Sequence, residues 1–283
     1  MPSAGLLLQA LASGVFLGAL YGLIGLGIGL GWGLLRQINL AHFAWVFLSA
    51  YITYELKTRL GMDPLISLLV LVPVFGALGM AVQAVFARFA LTPFNSLLVT
   101  FGMTVSVEAL LQWIWSADFR RMASVYEEHK FRLGSVVVTD SEALTLGMSL
   151  AAVAGVWWLL HRTDMGKSVR ASADDPAIAT AFGINAKRLA IWLAGLCAAL
   201  AACAGVCVAL TFTLAPSQIF SWVGVVFAVV MIGRLGSAVT PLLGGLVIGI
   251  SEAMTQALIA PTWAPLVAFT MLILILLLRR GDE

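Results

Sequence analysis

Apolar residues fill long, unbroken stretches of this chain, and short charged or Pro/Gly-rich breaks separate the stretches. No charged residue precedes Arg36, and none lies between Arg188 and Arg234. Both intervals exceed the roughly 18 apolar residues that a helix needs to cross a bilayer. Stretches such as Leu189–Leu214 are apolar on every side, whereas the strands of a membrane barrel alternate with period two. The pattern therefore predicts an all-α integral membrane protein, folded as a polytopic helix bundle.

Nine apolar segments have about the length of a membrane crossing, so we expect eight to ten transmembrane helices in a single membrane domain over 1–283. The first segment begins without basic residues, which favours a retained helix over a cleaved signal. Glycine- and proline-interrupted stretches occur in both halves, as in a transporter with an internal repeat. The segments are 8–33, 39–56, 65–88, 95–116, 143–161, 188–214, 218–232, 239–259 and 263–278.

The composition indicates that lipid surrounds the chain. Hydrophobic residues make up 61% of the sequence and charged residues 11%, with a mean hydropathy of +1.02. Soluble domains carry about 25% charged residues. A soluble chain of 283 residues could not bury this much apolar surface in one core. We therefore expect a membrane environment and no nucleic-acid partner.

The basic residues predict which side of the membrane each loop faces. With Arg279 and Arg280 in the cytoplasm, nine crossings place ten of the sixteen basic residues on that side. This orientation leaves an external loop over 117–142 and a cytoplasmic loop over 162–188. The external loop is too short for a ligand-binding domain, and its mixed charges and valines suit a small cap or hairpin.

The cytoplasmic loop contains two helix-start signals. Asp164 is a candidate N-cap for a short helix that runs through Arg170 and Ala173. Asp175 followed by Pro176 is a stronger signal, because proline fits the first helical position. The loop is therefore predicted to hold two short, capped helices.

The second of these helices has an apolar face. Ile178, Ala181 and Phe182 share that face at helical spacing, and Gly183 supplies a left-handed residue that ends the helix. A capped helix with an apolar patch suits the docking of a partner protein. The alternative is an interfacial hairpin that lies on lipid headgroups.

No catalytic motif is present. Gly166-Lys167-Ser168 resembles the end of a phosphate-binding loop, but that motif requires a glycine where this chain has His161. No nucleophile–base pair, metal-ligand set or cofactor fingerprint appears, so we expect neither catalysis nor a bound cofactor or metal. The three cysteines at 197, 203 and 207 lack metal or disulfide spacing and are expected to be small packing residues.

Glycines recur at helical spacing near both ends of the sequence. Such rows let helices approach closely in a membrane. One row is Gly14, Gly18 and Gly22, a second is Gly25, Gly29 and Gly33, and a late cluster is Gly233, Gly236, Gly244, Gly245 and Gly249 around Pro241.

Polar residues inside the apolar segments are candidates for a solute path. Glu108 and Glu252 are ionisable groups at membrane depth, which serve either a polar path or a hydrogen bond between helices. A second set could also line a path for a small polar solute. It comprises Gln37, Asn39, His42, Thr100, Thr104 and Ser106.

Four blocks, in order, resemble the permease subunits of branched-chain amino acid ABC transporters. They are Asn39–Tyr51, Leu97–Gln112, Gly166–Asn185 and Ile232–Ala253. The third block is similar to the cytoplasmic signature of that family and is the most specific. Phe43 and Ser49 stand where the family commonly has glycine, which would reshape a nearby path because aromatic side chains fill far more volume.

The resemblance implies a multi-subunit importer in a bacterial inner membrane. The cytoplasmic loop would form coupling helices that dock on a separate ATPase, where ATP and Mg²⁺ bind. Two ATPases, a second permease chain of different sequence and an extracytoplasmic solute-binding protein would complete the assembly. The solute would be a branched-chain or related amino acid, although related members carry urea, amides or other carboxylates.

The residues expected to carry these roles fall into two sets. The coupling set is Asp164, Gly166, Arg170, Asp175, Pro176, Ile178, Ala181, Phe182 and Gly183, and the path set is Asn39, His42, Phe43, Thr100, Gly102 and Glu108.

Two other functions are compatible with the residues alone. An ion-coupled secondary transporter would use Glu108 or Glu252 as its coupling acid. A membrane scaffold would use the cytoplasmic loop to recruit a partner without moving solute.

Overall fold

The computed structural model describes residues 3–89, 92–233 and 235–279, which are mostly helical. One antiparallel hairpin is formed by β1 (Lys130–Leu133) and β2 (Val136–Thr139). The helices are α1 (Ala4–Leu35), α2 (Ala41–Leu60), α3 (Pro64–Arg88), α4 (Pro93–Trp115), α5 (Val125–Glu128), α6 (Asp140–Arg162), α7 (Asp164–Asp174), α8 (Pro176–Ala181), α9 (Ala186–Thr211), α10 (Ile219–Ile232), α11 (Thr240–Leu258) and α12 (Ala264–Arg279).

Each of the nine predicted segments contains one long helix. By length and composition, six helices of the described chain can cross a membrane: α1, α3, α4, α6, α9 and α11. Of the other three, α2 carries Glu55, Lys57 and Arg59 in its last turns, while α10 and α12 have 14 and 16 residues. The prediction of a polytopic helical membrane protein is confirmed.

The two ends of α1 identify the two ends of the bundle. Near its start, Gln9 donates to the carbonyl of Val137 on β2 at 3.0 Å and accepts from the Val137 N–H at 2.7 Å. Just past its end, the Arg36 guanidinium donates to the carbonyl of Ala173 on α7 at 3.1 Å. We call these the hairpin end and the α7–α8 end.

The hairpin occupies the segment expected to form a cap or hairpin. Lys130 pairs with Thr139 and Leu133 with Val136, and Gly134 in the turn has a φ of 63°. Beside it, the Tyr126 hydroxyl donates to Asp63 at 2.7 Å. That hydrogen bond raises the pKa of Tyr126 above its usual value.

Glycines bring the backbones of α1 and α11 into direct contact. A Cβ added at Gly14 would lie 2.6 Å from the Ile250 Cα, and one at Gly18 would lie 2.6 Å from the Gly245 oxygen. At Gly22 the distance to the Leu242 Cα would be 2.7 Å. Real Cβ atoms essentially never approach other atoms this closely, so the predicted close approach of helices is confirmed. On the α11 side, Gly245 and Gly249 of the late glycine cluster form the surface that faces α1.

A second packing centre forms where α9 crosses α2. The Ser49 hydroxyl donates to the carbonyl of Ala202 at 2.9 Å, and Gly205 faces the same turn of α2. The thiols of Cys197, Cys203 and Cys207 on α9 are free, and the first and last are buried among apolar neighbours. They fill space between helices, as the sequence predicted.

Replacing Gly18 with valine should lower the free energy of unfolding. The added side chain overlaps the α11 backbone, and overpacking of this kind typically costs about 1–3 kcal/mol. Thermal unfolding of the purified chain in detergent would measure the change. Gly155→Val on α6 is the matched control because a Cβ there meets nothing within 4 Å. An equal loss for both variants would contradict the close α1–α11 contact.

Candidate functional site

Helix α7 begins at a different cap from the one predicted. The Thr163 hydroxyl accepts from the Gly166 N–H at 3.1 Å and donates to the carbonyl of Leu159 at 2.6 Å, so Thr163 is the N-cap. The prediction of Asp164 as N-cap was wrong by one residue. Asp164 lies in the first turn, where its carboxylate complements the helix dipole and pairs with Lys167 at 3.0 Å.

Helix α8 begins and ends as predicted. The Asp175 carboxylate accepts from the N–H groups of Ala177 at 2.9 Å and Ile178 at 3.0 Å, and Pro176 takes the first helical position. At the other end, Gly183 adopts a φ of 84°. A residue with a Cβ would be strained in that conformation.

The apolar face of α8 points away from the bundle. Ile178 is 56% exposed and Phe182 is 84% exposed, and Ala181 lies between them on the same surface. The opposite side of the loop is buried through Val169 and Ala179. The two short helices therefore display an uncovered apolar patch at the α7–α8 end.

Contacts with α6 and with Arg36 attach the α7–α8 loop to the bundle. Gly166 lies against Leu160, where a Cβ would come 2.6 Å from the carbonyl oxygen. Arg36 holds the end of α7 through Ala173. The Arg170 Nε is buried without a hydrogen-bond partner among the described residues. Movement of the loop is thus tied to α1 and α6.

The predicted path residues Asn39 and His42 meet in a small polar pocket between α1, α2, α3, α4 and α9. Asn39 Oδ1, His42 Nε2 and Ser96 Oγ are buried there without hydrogen-bond partners in the described part of the chain. The space measures about 20 Å³, which is enough for one water molecule. Gln83 on α3 completes the pocket by donating to Gln37 at 3.4 Å.

The other predicted path residues are divided between the interior and the surface. Thr100 joins α4 to α2 by accepting from the Leu40 N–H at 3.2 Å. Phe43 is buried and stacks on Phe227 with ring centres 6.4 Å apart. Gly102 lies on the exposed face of α4, where a Cβ would meet nothing within 4 Å, whereas Glu108 is partly buried on a flank of that helix next to the buried row.

The two membrane glutamates have different surroundings. Glu108 is half-exposed and accepts from Gln112 at 3.2 Å within the same helix. Glu252 is only 9% exposed and accepts from the Tyr21 hydroxyl at 3.0 Å, which joins α11 to α1. The two carboxylates have separate partners, Glu108 within α4 and Glu252 on α1.

Sequence reasoning missed several of these residues. Thr163 precedes Asp164 and is itself a preferred N-cap residue, which was an available signal. Gln83 is a polar residue in an otherwise apolar segment, and that was a signal as well. The role of Arg36 depends on a contact across 137 positions, and no local pattern reports such a contact.

Comparison with known proteins places these features in a family. Residues 10–276 match the family described as branched-chain amino acid transport system / permease component. The high-affinity branched-chain amino acid transport system permease protein BraD of Pseudomonas aeruginosa is 25% identical, with 99% of this chain and 96% of that protein covered.

Two further relatives are also permease proteins. The high-affinity branched-chain amino acid transport system permease protein LivH of Escherichia coli is 26% identical, with 95% of this chain and 92% of that protein covered. The fructose import permease protein FrcC of Rhizobium meliloti is 31% identical over 58% of this chain and 47% of its own length. No solved structure shows a significant match. The chain belongs to the family of permease components of branched-chain amino acid transport systems.

Proposed function

We propose that this chain is the permease subunit of an ATP-driven importer for branched-chain or related amino acids in a bacterial inner membrane. ATP and Mg²⁺ bind to a separate ATPase, of which the assembly holds two. A second permease chain of different sequence and an extracytoplasmic solute-binding protein complete the transporter. The carboxyl terminus and the α7–α8 loop face the cytoplasm, and the 117–142 segment faces outward.

The uncovered apolar patch on α8 is the observation that supports this function best. Ile178 and Phe182 project from a capped loop, and their side chains are 56% and 84% exposed. Exposed apolar patches mark sites of contact with proteins or with a membrane, and the capped ends of α8 favour a protein partner in this proposal. A groove on the ATPase that receives them would bury them.

The anchoring of α7 supports coupling as the role of this loop. The Arg36 guanidinium connects the end of α7 with the end of α1, and Gly166 presses α7 against α6. A docked ATPase that moves the loop therefore moves two bundle helices. In this proposal Asp164, Asp175 and Pro176 shape the loop, and Arg170 stabilises its inner face.

The outer face of α4 is the proposed side of the solute path. Gly102 leaves open space there, and the partly buried Glu108 lies on the adjoining flank of this helix, which can cross the membrane. A carboxylate facing hydrocarbon is costly, so this face suits a second permease chain and a hydrated path. Asn39 and His42 lie behind α4, Thr100 faces inward from α4 itself, and Phe43 is buried on α2.

A double variant, Ile178→Ser with Phe182→Ser, should abolish co-purification of the ATPase. Burying the two side chains contributes about 3 kcal/mol, so their loss weakens binding by roughly 100-fold. The measurement is affinity purification of the full chain from its native membrane, followed by mass spectrometry.

Leu133→Ser, which alters an exposed apolar residue of β1 at the hairpin end, is the matched control and should retain the ATPase. Undiminished ATPase on the double variant would contradict the docking surface. A chain that purifies alone and moves solute with an ion gradient would support the secondary transporter instead.

Gly183→Val should separate ATP hydrolysis from transport. The left-handed conformation at Gly183 costs a residue with a Cβ about 1–2 kcal/mol, so the end of α8 rearranges while the bundle stays folded. The ratio of solute imported to ATP hydrolysed, measured in proteoliposomes of the assembled transporter, should fall several-fold. Arg170→Ala is expected to act in the same direction.

The control for this experiment is Gly147→Val on α6, an exposed position where a Cβ meets nothing within 4 Å. It should keep the normal ratio. Normal coupling in both the Gly183 and the Arg170 variants would count against a coupling role for the loop.

A further inference from the structure

An apolar groove of about 360 Å³ lies on the side of the bundle, between α3, α6, α7 and α9. Leu160, Val169 and Leu193 are buried and form its floor, whereas Pro73 and Trp192 are exposed and form its edges. The other residues of the described chain that line it are also apolar. Because α3, α6 and α9 can each cross a membrane, a groove on their outer side opens onto lipid.

Small residues create the depth of the groove. Gly76 on α3 faces Gly195 on α9, and a Cβ at Gly76 would lie 3.6 Å from the Gly195 carbonyl oxygen and 3.8 Å from the Ala199 Cβ. The space above this contact is therefore left empty by side chains. From Trp192 to Ala199 the lining of α9 spans about 10 Å, which approaches the roughly 15 Å depth of one leaflet of the hydrocarbon core.

The groove extends from the middle of the bundle to the α7–α8 end. On α3 its lining runs over residues 72–80. Leu159 and Leu160 lie in the last turn of α6, and Met165 and Val169 come from α7. The mouth of the groove therefore lies at the membrane surface on the side of the α7–α8 loop.

Exposed tryptophans and arginines mark the level of the lipid headgroups at this end. On α9, Arg188 is exposed and lies four positions before Trp192, so the two side chains share the face that lines the groove. On α6, the exposed Trp158 lies four positions before Arg162. Since α6 ends and α9 begins at the α7–α8 end, each tryptophan lies one turn deeper than its arginine. Tryptophans are enriched at the headgroup level, and basic side chains near helix ends extend outward to the same region.

The two arginines are available to an anion. The side chains of Arg162 and Arg188 have no ion pair or hydrogen bond with the described residues. Between positions 161 and 190 the sequence holds five basic residues and three acidic ones. The acids are Asp164, which pairs with Lys167 at 3.0 Å, and Asp174 and Asp175, which lie at the other end of α7 from Met165. A negative headgroup at the mouth would therefore meet an excess of positive charge.

We propose that the groove binds one acyl chain of an anionic phospholipid from the leaflet at the α7–α8 end. The acyl chain lies along Gly76 and Ala199, and the phosphate lies at Arg188 with Arg162 as a second cation. Basic sites between membrane helices bind lipid headgroups in this way. This lipid site goes beyond the importer function and requires only that the chain lies in a membrane, so the failure of either leaves the other standing.

The bound lipid would contact the α7–α8 loop directly. Met165 and Val169 of α7 line the same groove as Gly76 of α3. An acyl chain in this place therefore packs between a helix of the loop and a helix that can cross the membrane. The composition of the surrounding lipid would in this way affect the base of the loop.

The first test uses the unmutated chain, with the subunits that accompany it, in nanodiscs of phosphatidylcholine. A small amount of phosphatidylglycerol or of phosphatidylcholine carries the same acyl chain with a photoreactive diazirine, and mass spectrometry maps the cross-links. The phosphatidylglycerol reagent should label residues 72–80 and 192–199 at least about 5-fold more strongly than the phosphatidylcholine reagent. Equal labelling by the two reagents, or labelling spread evenly over the exposed helices, overturns the proposal.

Competition distinguishes a lipid from a free anion. Unlabelled phosphatidylglycerol should suppress the cross-links, whereas inorganic phosphate should act no differently from sodium chloride at equal ionic strength. Specific suppression by inorganic phosphate would overturn the lipid assignment. Labelling of the groove in the isolated chain but not in the assembled complex would show that another chain covers the groove, and it would also overturn the proposal.

The second test removes the proposed phosphate contact. Arg188→Gln should lower labelling by the phosphatidylglycerol reagent about 5-fold and leave labelling by the phosphatidylcholine reagent unchanged. Lys187→Gln is the matched control, because Lys187 is an exposed cation about 100° away around the same helix and should matter little. An equal loss in both variants would indicate general attraction of anionic lipid to this end and would overturn the specific site.

The third test fills the groove. Ala199→Phe should remove labelling of residues 72–80 by both reagents, because the added ring occupies the place of the acyl chain. Ala154→Phe, at an exposed position of α6 outside the groove, is the matched control, and thermal unfolding in detergent compares the fold of the two variants. Undiminished labelling of Ala199→Phe would overturn the proposal. Arg188→Gln changes only an exposed side chain, so it decides the question even where Ala199→Phe does not fold.

Discussion

The contact between the backbones of α1 and α11 is the constraint on which the rest of the structure depends. Three glycines of α1 lie so close to α11 that no side chain fits between the helices. In lipid, where burial of apolar surface does not drive helices together, such close packing is a principal source of attraction. It fixes α1 at the centre of the bundle, so the elements at both of its ends take their positions from it.

The proposed roles follow from this central position. Arg36, just past the end of α1, holds the α7–α8 loop, and Tyr21, near the middle of α1, holds Glu252. The polar pocket at His42 lies against α1 between them, where Gly27 makes room for the imidazole ring. Polar groups therefore occur at successive levels along one helix, in a bundle that is otherwise apolar.

Local signals in the sequence predicted the local structure well. The helices in the nine segments, the start of α8 at Asp175-Pro176 and its end at Gly183 all depend on neighbouring residues, and the structure contains each of them. Six of those nine helices, within the described chain, have the length and composition of a membrane crossing. Contacts between distant segments could not be read in this way. The sequence showed the glycine rows, but it could not predict that the row on α1 packs against α11. It also showed Glu252 at membrane depth, but it could not predict that Tyr21 is its hydrogen-bond partner. The error at Asp164 arose because two capping residues are adjacent, and the hydroxyl of Thr163 was the better placed.

The length of α1 has a mechanical consequence. Its 32 residues extend about 48 Å, well beyond the roughly 30 Å of the hydrocarbon core, so the helix must tilt or protrude. One continuous helix thus contacts the hairpin through Gln9 and is followed, immediately after its last turn, by Arg36, which is hydrogen-bonded to α7. Because the same helix makes both contacts, a tilt of α1 would displace the hairpin and α7 together. The inclination of α1 is therefore a mechanical link between the hairpin end and the α7–α8 end of the bundle.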